Sequence, residues 1–249
     1  QSWLLAIGDL SFTTADVALR FWMLRVGLLA MGSLPHGVVV HSPKAAENVR
    51  LAVGTPKKIK YIPHVIKKLD GERDNLRRQL GLPLDCFAFI IPGFLFRRKR
   101  IIEVIDQLPE HTELWIVGTE SELEVGYLAE IQAYLAQSDK REQVRLIQDY
   151  ERMELYLRAA DVAVFYYTDG YQSGVASLAV GAGKPCIFSN ISAFSDLKEA
   201  GLVVNTPLEL HQAMVSIRDP RVYQPLQGAA YRLRDRFSPH NIASDYLDW

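Results

Sequence analysis

The chain has 249 residues, enough for one large domain or one domain plus part of another. Hydrophobic residues make up 49% and charged residues 23%, the composition of a soluble globular protein with a substantial core. A formal net charge of −1 argues against a protein dominated by nucleic-acid electrostatics.

The chain does not begin with methionine, and Gln1 to Leu5 read as a strand entered mid-protein, so the chain reads as a fragment. Thr13-Thr14-Ala15-Asp16 caps a predicted helix running to about Ala30. The most apolar segment, Phe21 to Met31, contains Arg25, is too short for a bilayer span and suits a buried helix. No basic stretch precedes an apolar core, so no signal peptide is read. Gly37 to His41 is a β-branched run that predicts a buried strand. Ser42-Pro43 then starts a helix that Gly54 ends. Lys58 to Pro63 predicts a second strand, and Asp70 to Leu80 an amphipathic helix stopped by Gly81.

From there strands and helices alternate. The strands are Phe87 to Ile91, Leu114 to Val117, Val144 to Ile147, Val162 to Tyr166, Pro185 to Ser189 and Leu202 to Val204. The helices are Ile101 to Leu108, Ser121 to Gln137, Glu151 to Ala159, Gly174 to Gly181, Ser195 to Ala200 and Leu208 to Ile217, with one or two beyond Pro220. Apolar strands alternating with helices mean an α/β fold whose parallel sheet is covered on both faces. Ligands of such sheets bind beyond the carboxyl ends of the strands, so the strand-to-helix loops are the places to search.

Four loops qualify. Pro92 to Arg100 holds Gly93, which lets backbone approach a ligand, and the cations Arg97, Arg98, Lys99 and Arg100. A diphosphate, a solvated basic turn and a nucleic acid all fit that run; its place after a strand favours phosphate. Thr168 to Val175 offers Ser173 as an N-cap and Gly174 as a bare helix mouth, where free N–H groups and the dipole face an anion. A purely structural Ser-Gly turn has the same pattern. Gly118 after Val117 permits close approach, with Thr119 as a cap for the next helix. Gln148-Asp149-Tyr150 could lie along a base or be a simple capped loop.

The histidines, His41, His64 and His211 among them, show no metal-site spacing. Tyr166 and Tyr167 read as core and rim. Cys86 and Cys186 lie far apart in apolar runs and read as buried thiols, with one long-range disulfide as the alternative. There is no Walker loop, dinucleotide fingerprint or nucleophile elbow.

In order along the chain, these segments resemble the family-4 retaining glycosyltransferases, which have the two-Rossmann-domain GT-B fold. Gly37 to Ser42 looks like the last strand of the acceptor-side domain, and Lys58 to His64 like the linker strand. Gly93 to Lys99 resembles the family's glycine-to-lysine loop, and Leu114 to Gly118 its next strand and glycine. Met153 to Val164, Gly183-Lys184-Pro185-Cys186-Ile187 and the closing segment Ile242 to Trp249 complete the series. The resemblance covers roughly residues 37 to 249. It divides the chain into an acceptor-side remnant and linker (1–66), a Rossmann-like nucleotide-sugar domain (67–236) and a crossing helix (237–249).

The resemblance implies transfer of a sugar, with retention, from a nucleotide-diphosphate-sugar to a saccharide or lipid-linked acceptor. Lys99 with Arg97 or Arg98 would meet the charge of the departing diphosphate. Gly93, Phe94, Gly118, Gln148, Tyr150, Asp169, Gln172, Ser173, Gly174 and Val175 would hold the donor. No metal and no separate cofactor are implied, since the nucleotide-sugar is a substrate, and no nucleic-acid partner. The location implied is cytoplasmic, with peripheral association at the inner face of the membrane. Two departures stand out. Family members often carry two glutamates before the Gly-Lys-Pro segment, and those positions are Gly170 and Leu178 here, with Asp169 and Ser177 as neighbours. The arginine that often follows the first glycine is Phe94. The alternatives are nucleotide-sugar epimerisation or hydrolysis, and a degenerate binding or scaffold module without catalysis.

Overall fold

A computed structural model describes residues 38–53, 59–170 and 172–247. The strand expected at Gln1 to Leu5, the helix expected from Thr13 to Ala30, and Tyr171 lie outside the described residues.

Two short strands, β1 (Val38–Val40) and β2 (Ile59–Tyr61), pair in parallel, joined through helix α1 (Pro43–Val53). Helix α2 (Arg73–Leu80) follows, capped by the Glu72 carboxylate and ended by Gly81 in the left-handed region at φ 65°. It starts three residues later than the sequence suggests, because Glu72 and not Asp70 supplies the cap.

The main sheet holds β3 (Phe87–Pro92), β4 (Thr112–Val117), β5 (Val144–Ile147), β6 (Val162–Phe165), β7 (Cys186–Ser189) and β8 (Gly201–Val204). All six are parallel in the order β5-β4-β3-β6-β7-β8. The chain runs outward from β3 to β5 and then returns to β3's other side with β6. The carboxyl ends of β3 and β6 therefore bound the crevice where strand order reverses.

Alternation along the strands explains the layering. Ala88, Ile90, Trp115 and Val117 enter one core with α5 (Met153–Ala159), α6 (Gly174–Gly181) and α8 (Pro220–Arg236). Phe89, Ile91, Leu114 and Ile116 enter the other with α3 (Ile101–Asp106), α4 (Tyr127–Gln137) and α7 (Pro207–Ser216). A strand buried on both faces has no polar face to show, which is why these strands read as continuous apolar runs. The last helix, α9 (Pro239–Leu247), lies back beside the small sheet, where Lys60 donates to the Asp245 carbonyl.

Two expected helices differ. Ser195 to Ala200 is not one helix: short 3-10 turns occupy Ser192–Phe194 and Lys198–Ala200. The segment Ser121 to Gln137 becomes helical only at Tyr127, after Gly126 at φ 96°. Glu120, rather than Thr119, serves that helix start by accepting from Gly126 N and Leu128 N at 2.8 and 2.9 Å. Both cysteines are free thiols, so the disulfide alternative falls; Cys186 is buried and Cys86 half-buried.

At the amino ends of the strands, Arg77 is fully buried and surrounded. It donates to Ala159 O (2.9 Å), Cys86 O (2.8 Å) and Asp161 (2.9 Å), and lies 5.0 Å over the Trp115 ring. Asp161 also accepts from Arg73 (2.7 Å) and Ala88 N (2.7 Å).

Candidate anion site at the switch point

The loop after β3 turns at Gly93, whose φ of 89° favours glycine. A side chain there would also press on Val175 at 3.2 Å and on the Lys99 ammonium at 3.4 Å. That one position locates three parts of the site: the glycine loop, the lysine and the first turn of α6.

Lys99 is 4% exposed, and its Nζ donates to Pro92 O at 2.7 Å. Among the described residues no carboxylate pairs with it. Burial, and then the adjacent Arg98, push its pKa down from 10.5 to about 7. The Tyr167 ring lies beneath, 5.9 Å from Nζ, and Tyr167 is itself buried rather than at the rim. Such a lysine lacks the counter-charge that a bound anion would bring.

The run of four cations is split by its backbone. Arg97–Lys99 form a 3-10 turn, which spaces successive side chains roughly 120° apart. Arg97 turns to α4, pairing with Glu130 and lying 4.8 Å over Tyr127. Arg100 pairs with Glu103 at 2.5 Å and covers Tyr166. Arg98 and Lys99 face the crevice. Arg98 lies 5.6 Å over Tyr167, and its carbonyl accepts Thr168 N at 2.9 Å, joining the β3 loop to the β6 loop. The structure therefore does not bring Arg97 to the lysine, and of the two arginines considered only Arg98 stands beside it.

Across the crevice α6 begins. Ser173 is its N-cap, with Oγ accepting Ala176 N at 3.3 Å. A Cβ on Gly174 would meet no atom within 4 Å, and no unusual φ requires glycine there. Neither packing nor backbone conformation accounts for that glycine among the described residues. Gln172 is turned elsewhere, donating from Nε2 to His41 O at 2.9 Å. Asp169 is exposed on the same loop. Ser177 is buried, and its hydroxyl donates to Ser173 O at 3.4 Å. Leu178 packs against the core.

Gly118 packs directly against the Gly93 loop. A Cβ there would fall 2.2 Å from Gly93 O. The glycine makes room for the neighbouring loop, which hangs from β4 through Gly93 N→Val117 O (2.8 Å) and Leu95 N→Thr119 O (2.9 Å). Phe94 and Tyr150 stack at 4.6 Å over this edge and stay 41% and 40% exposed. Gln148 is exposed beside them, while Asp149 accepts Arg152 N at 3.2 Å in the turn before α5. Asp196, which sequence reasoning did not single out, lines a small recess with His64, Gln172, Ser173 and Ser177. It follows a turn rather than a strand, so the strand-to-helix rule passes over it. No group of histidines, cysteines and acids suited to a metal occurs among the described residues.

Residues 93–219, just over half of the chain, match the profile described as Glycosyl transferases group 1. Sucrose-phosphate synthase from Thermosynechococcus elongatus superposes with a TM-score of 0.73 at 21% identity, over 95% of this chain and 63% of that one. Anabaena HepE in complex with UDP gives 0.80 at 18% identity, over 92% of this chain and 67% of that one. A C-terminal domain of a glycosyl transferase group 1 protein from Francisella tularensis gives 0.58 at 14% identity, over 70% of this chain and 97% of that one. These likenesses establish the fold, that of the carboxyl-terminal half of GT-B glycosyltransferases, and the chain spans about two thirds of the length of the first two. No curated protein matches the chain.

Proposed function

The chain belongs to the glycosyl transferases group 1 family, and from that premise we propose that it is the donor half of a retaining, metal-independent, family-4-like glycosyltransferase. The observation that carries the reading is the meeting of Gly93, Lys99 and the first turn of α6 at the switch point of the sheet. A diphosphate set there would touch a glycine backbone, the Lys99 ammonium, the Arg98 guanidinium and the N–H groups of Ser173 to Val175.

The chemistry follows from charge. When the bond from the sugar C1 to the diphosphate breaks, negative charge builds on the β-phosphate. Lys99, Arg98 and the helix mouth stabilise that charge more strongly in the transition state than in the ground state. Each such donor contributes about 2–4 kcal/mol. With cations and a helix dipole in these places, the reading needs no metal. Phe94, Gln148 and Tyr150 would flank the nucleoside, with Asp169 near the sugar. A nucleotide-sugar donor is supported by the complexes of HepE with UDP and with UDP-glucose.

Residues 67–236 would be the nucleotide-sugar domain, and 1–66 the end of an acceptor-side domain to which 237–249 cross back. The separate β1–β2 sheet and the Lys60 contact to α9 support that division. The acceptor, a saccharide or lipid-linked saccharide, would be met mainly by that other domain. A cytoplasmic place at the inner face of the membrane goes with such an acceptor. Among the described residues no helix is long and apolar enough to cross a membrane.

Calorimetry with UDP-, GDP- and ADP-sugars tests this. One donor should bind, and Lys99→Ala should weaken it about tenfold to a hundredfold, the loss of a hydrogen bond to a charged group. Binding of none by a folded sample favours a scaffold module, the reading that the missing glutamates at Gly170 and Leu178 support.

A further inference from the structure

We propose that Gln172 is a positioning residue: it ties the diphosphate loop to the small sheet, so that nucleotide bound at α6 is felt at the carboxyl end of β1. The proposal rests on the donor-site reading above.

Between β6 and α6, the anchors of residues 166–170 and 172–173 fall into two sets. The first half is held by the main sheet, with Tyr167 N on Ser189 Oγ at 2.9 Å and Thr168 N on Arg98 O at 2.9 Å. Gly170 follows at φ 155°. The second half reaches the other way. Gln172 Nε2 donates to His41 O at 2.9 Å, across 131 positions of sequence. That carbonyl is braced. His41 Nδ1 bonds Ile62 O at 2.9 Å, and Ile62 N bonds Val40 O at 2.9 Å, continuing the β1–β2 ladder one step past its end.

The residue after Gln172 is the cap of α6. A capping serine must hold an extended backbone for its Oγ to reach the helix N–H groups. Ser173 does so at φ −135° and ψ 101°. The bond from Gln172 to His41 therefore fixes the chain immediately before the turn whose N–H groups would take the phosphate. Any shift of that turn on binding an anion must move a braced carbonyl in the other sheet or break the bond. The side chain is the part that substitution can reach. Methionine keeps its length without a donor, and glutamate puts an acceptor against the carbonyl.

The test is hydrogen exchange on the 249-residue chain with and without the tightest-binding of UDP, GDP and ADP, with affinity measured by calorimetry. In the wild type the nucleotide should slow exchange at residues 174–177 and also at 38–42 and 59–62. In Gln172→Met and Gln172→Glu the first protection should persist and the second disappear. Affinity should fall roughly three- to tenfold, the worth of one hydrogen bond. A residue with only a structural role would lower the melting temperature without separating the two signals. Equal protection of β1 and β2 in wild type and Gln172→Met overturns the proposal. Failure of the wild type to bind any of the three overturns the donor reading instead.

Discussion

The two ends of the same six strands solve opposite problems. At the amino ends, Arg77 is as buried as Lys99 is at the carboxyl ends, but its guanidinium is met by carbonyls, a carboxylate and an indole ring. Among the described residues Lys99 has one carbonyl, the more distant Tyr167 ring and a neighbouring arginine, and no carboxylate. A buried cation that is fully surrounded holds a fold together, whereas one left short of partners costs stability and is ready for a ligand. The difference teaches where to look in a sheet of this kind: burial of charge is common to both ends, and the completeness of its partners separates structure from site.

The largest expected effect tests the amino end. Arg77→Ala should lower stability by about 3–5 kcal/mol, because it strips a partner from buried Asp161. Denaturant titration measures this, and nucleotide affinity of the folded fraction should not change. A loss below about 1 kcal/mol, the worth of an ordinary pair, would erase the contrast.

Lys99 should behave in the reverse manner, with a pH signature. Its pKa is about 7 in the folded chain and 10.5 in the unfolded one. Below pH 7 the folded state carries the full cost of the buried charge. Between pH 7 and 10.5 the unfolded chain binds more protons, so the cost is relieved as pH rises. The stability of the wild type relative to Lys99→Met should thus climb across that window. A flat difference would mean that the ammonium has partners. At pH 8 nucleotide diphosphate should draw a proton onto Lys99, seen as a binding enthalpy that varies with the buffer's ionisation heat.

The smallest effect sharpens the comparison at one atom. Gly174→Ala adds a methyl where nothing crowds it and should stabilise the chain by at most about 1 kcal/mol. If the bare helix mouth serves a phosphate, nucleotide affinity should fall as the melting temperature rises. Both rising together would make the glycine merely neutral.

Much of the sheet was legible in the sequence, since strands covered on both faces must be apolar throughout; β4, β5 and β8 were placed to within two residues. The 192–200 region misled because two separate 3-10 turns carry the same small and apolar residues as a short helix. At the site, Gly93, Lys99 and the Ser173 cap could be picked out because each has a local signature. The division of the four cations could not, because Arg97 turns to Glu130, 33 residues away, which only the fold brings near. The bond from Gln172 to His41 was hidden for the same reason, its partner lying 131 residues away.

Gly118 constrains the Gly93 loop sterically. With Gly118 a mere 2.2 Å, measured at an added Cβ, from the Gly93 carbonyl, a side chain at 118 displaces the loop bearing Lys99 without touching it. A side chain at 118 is therefore accommodated only if the loop at 93 moves, and random mutagenesis selected on activity should not recover changes at 118. Changes at position 118 would look like active-site lesions in any screen, though the residue itself need never meet a substrate.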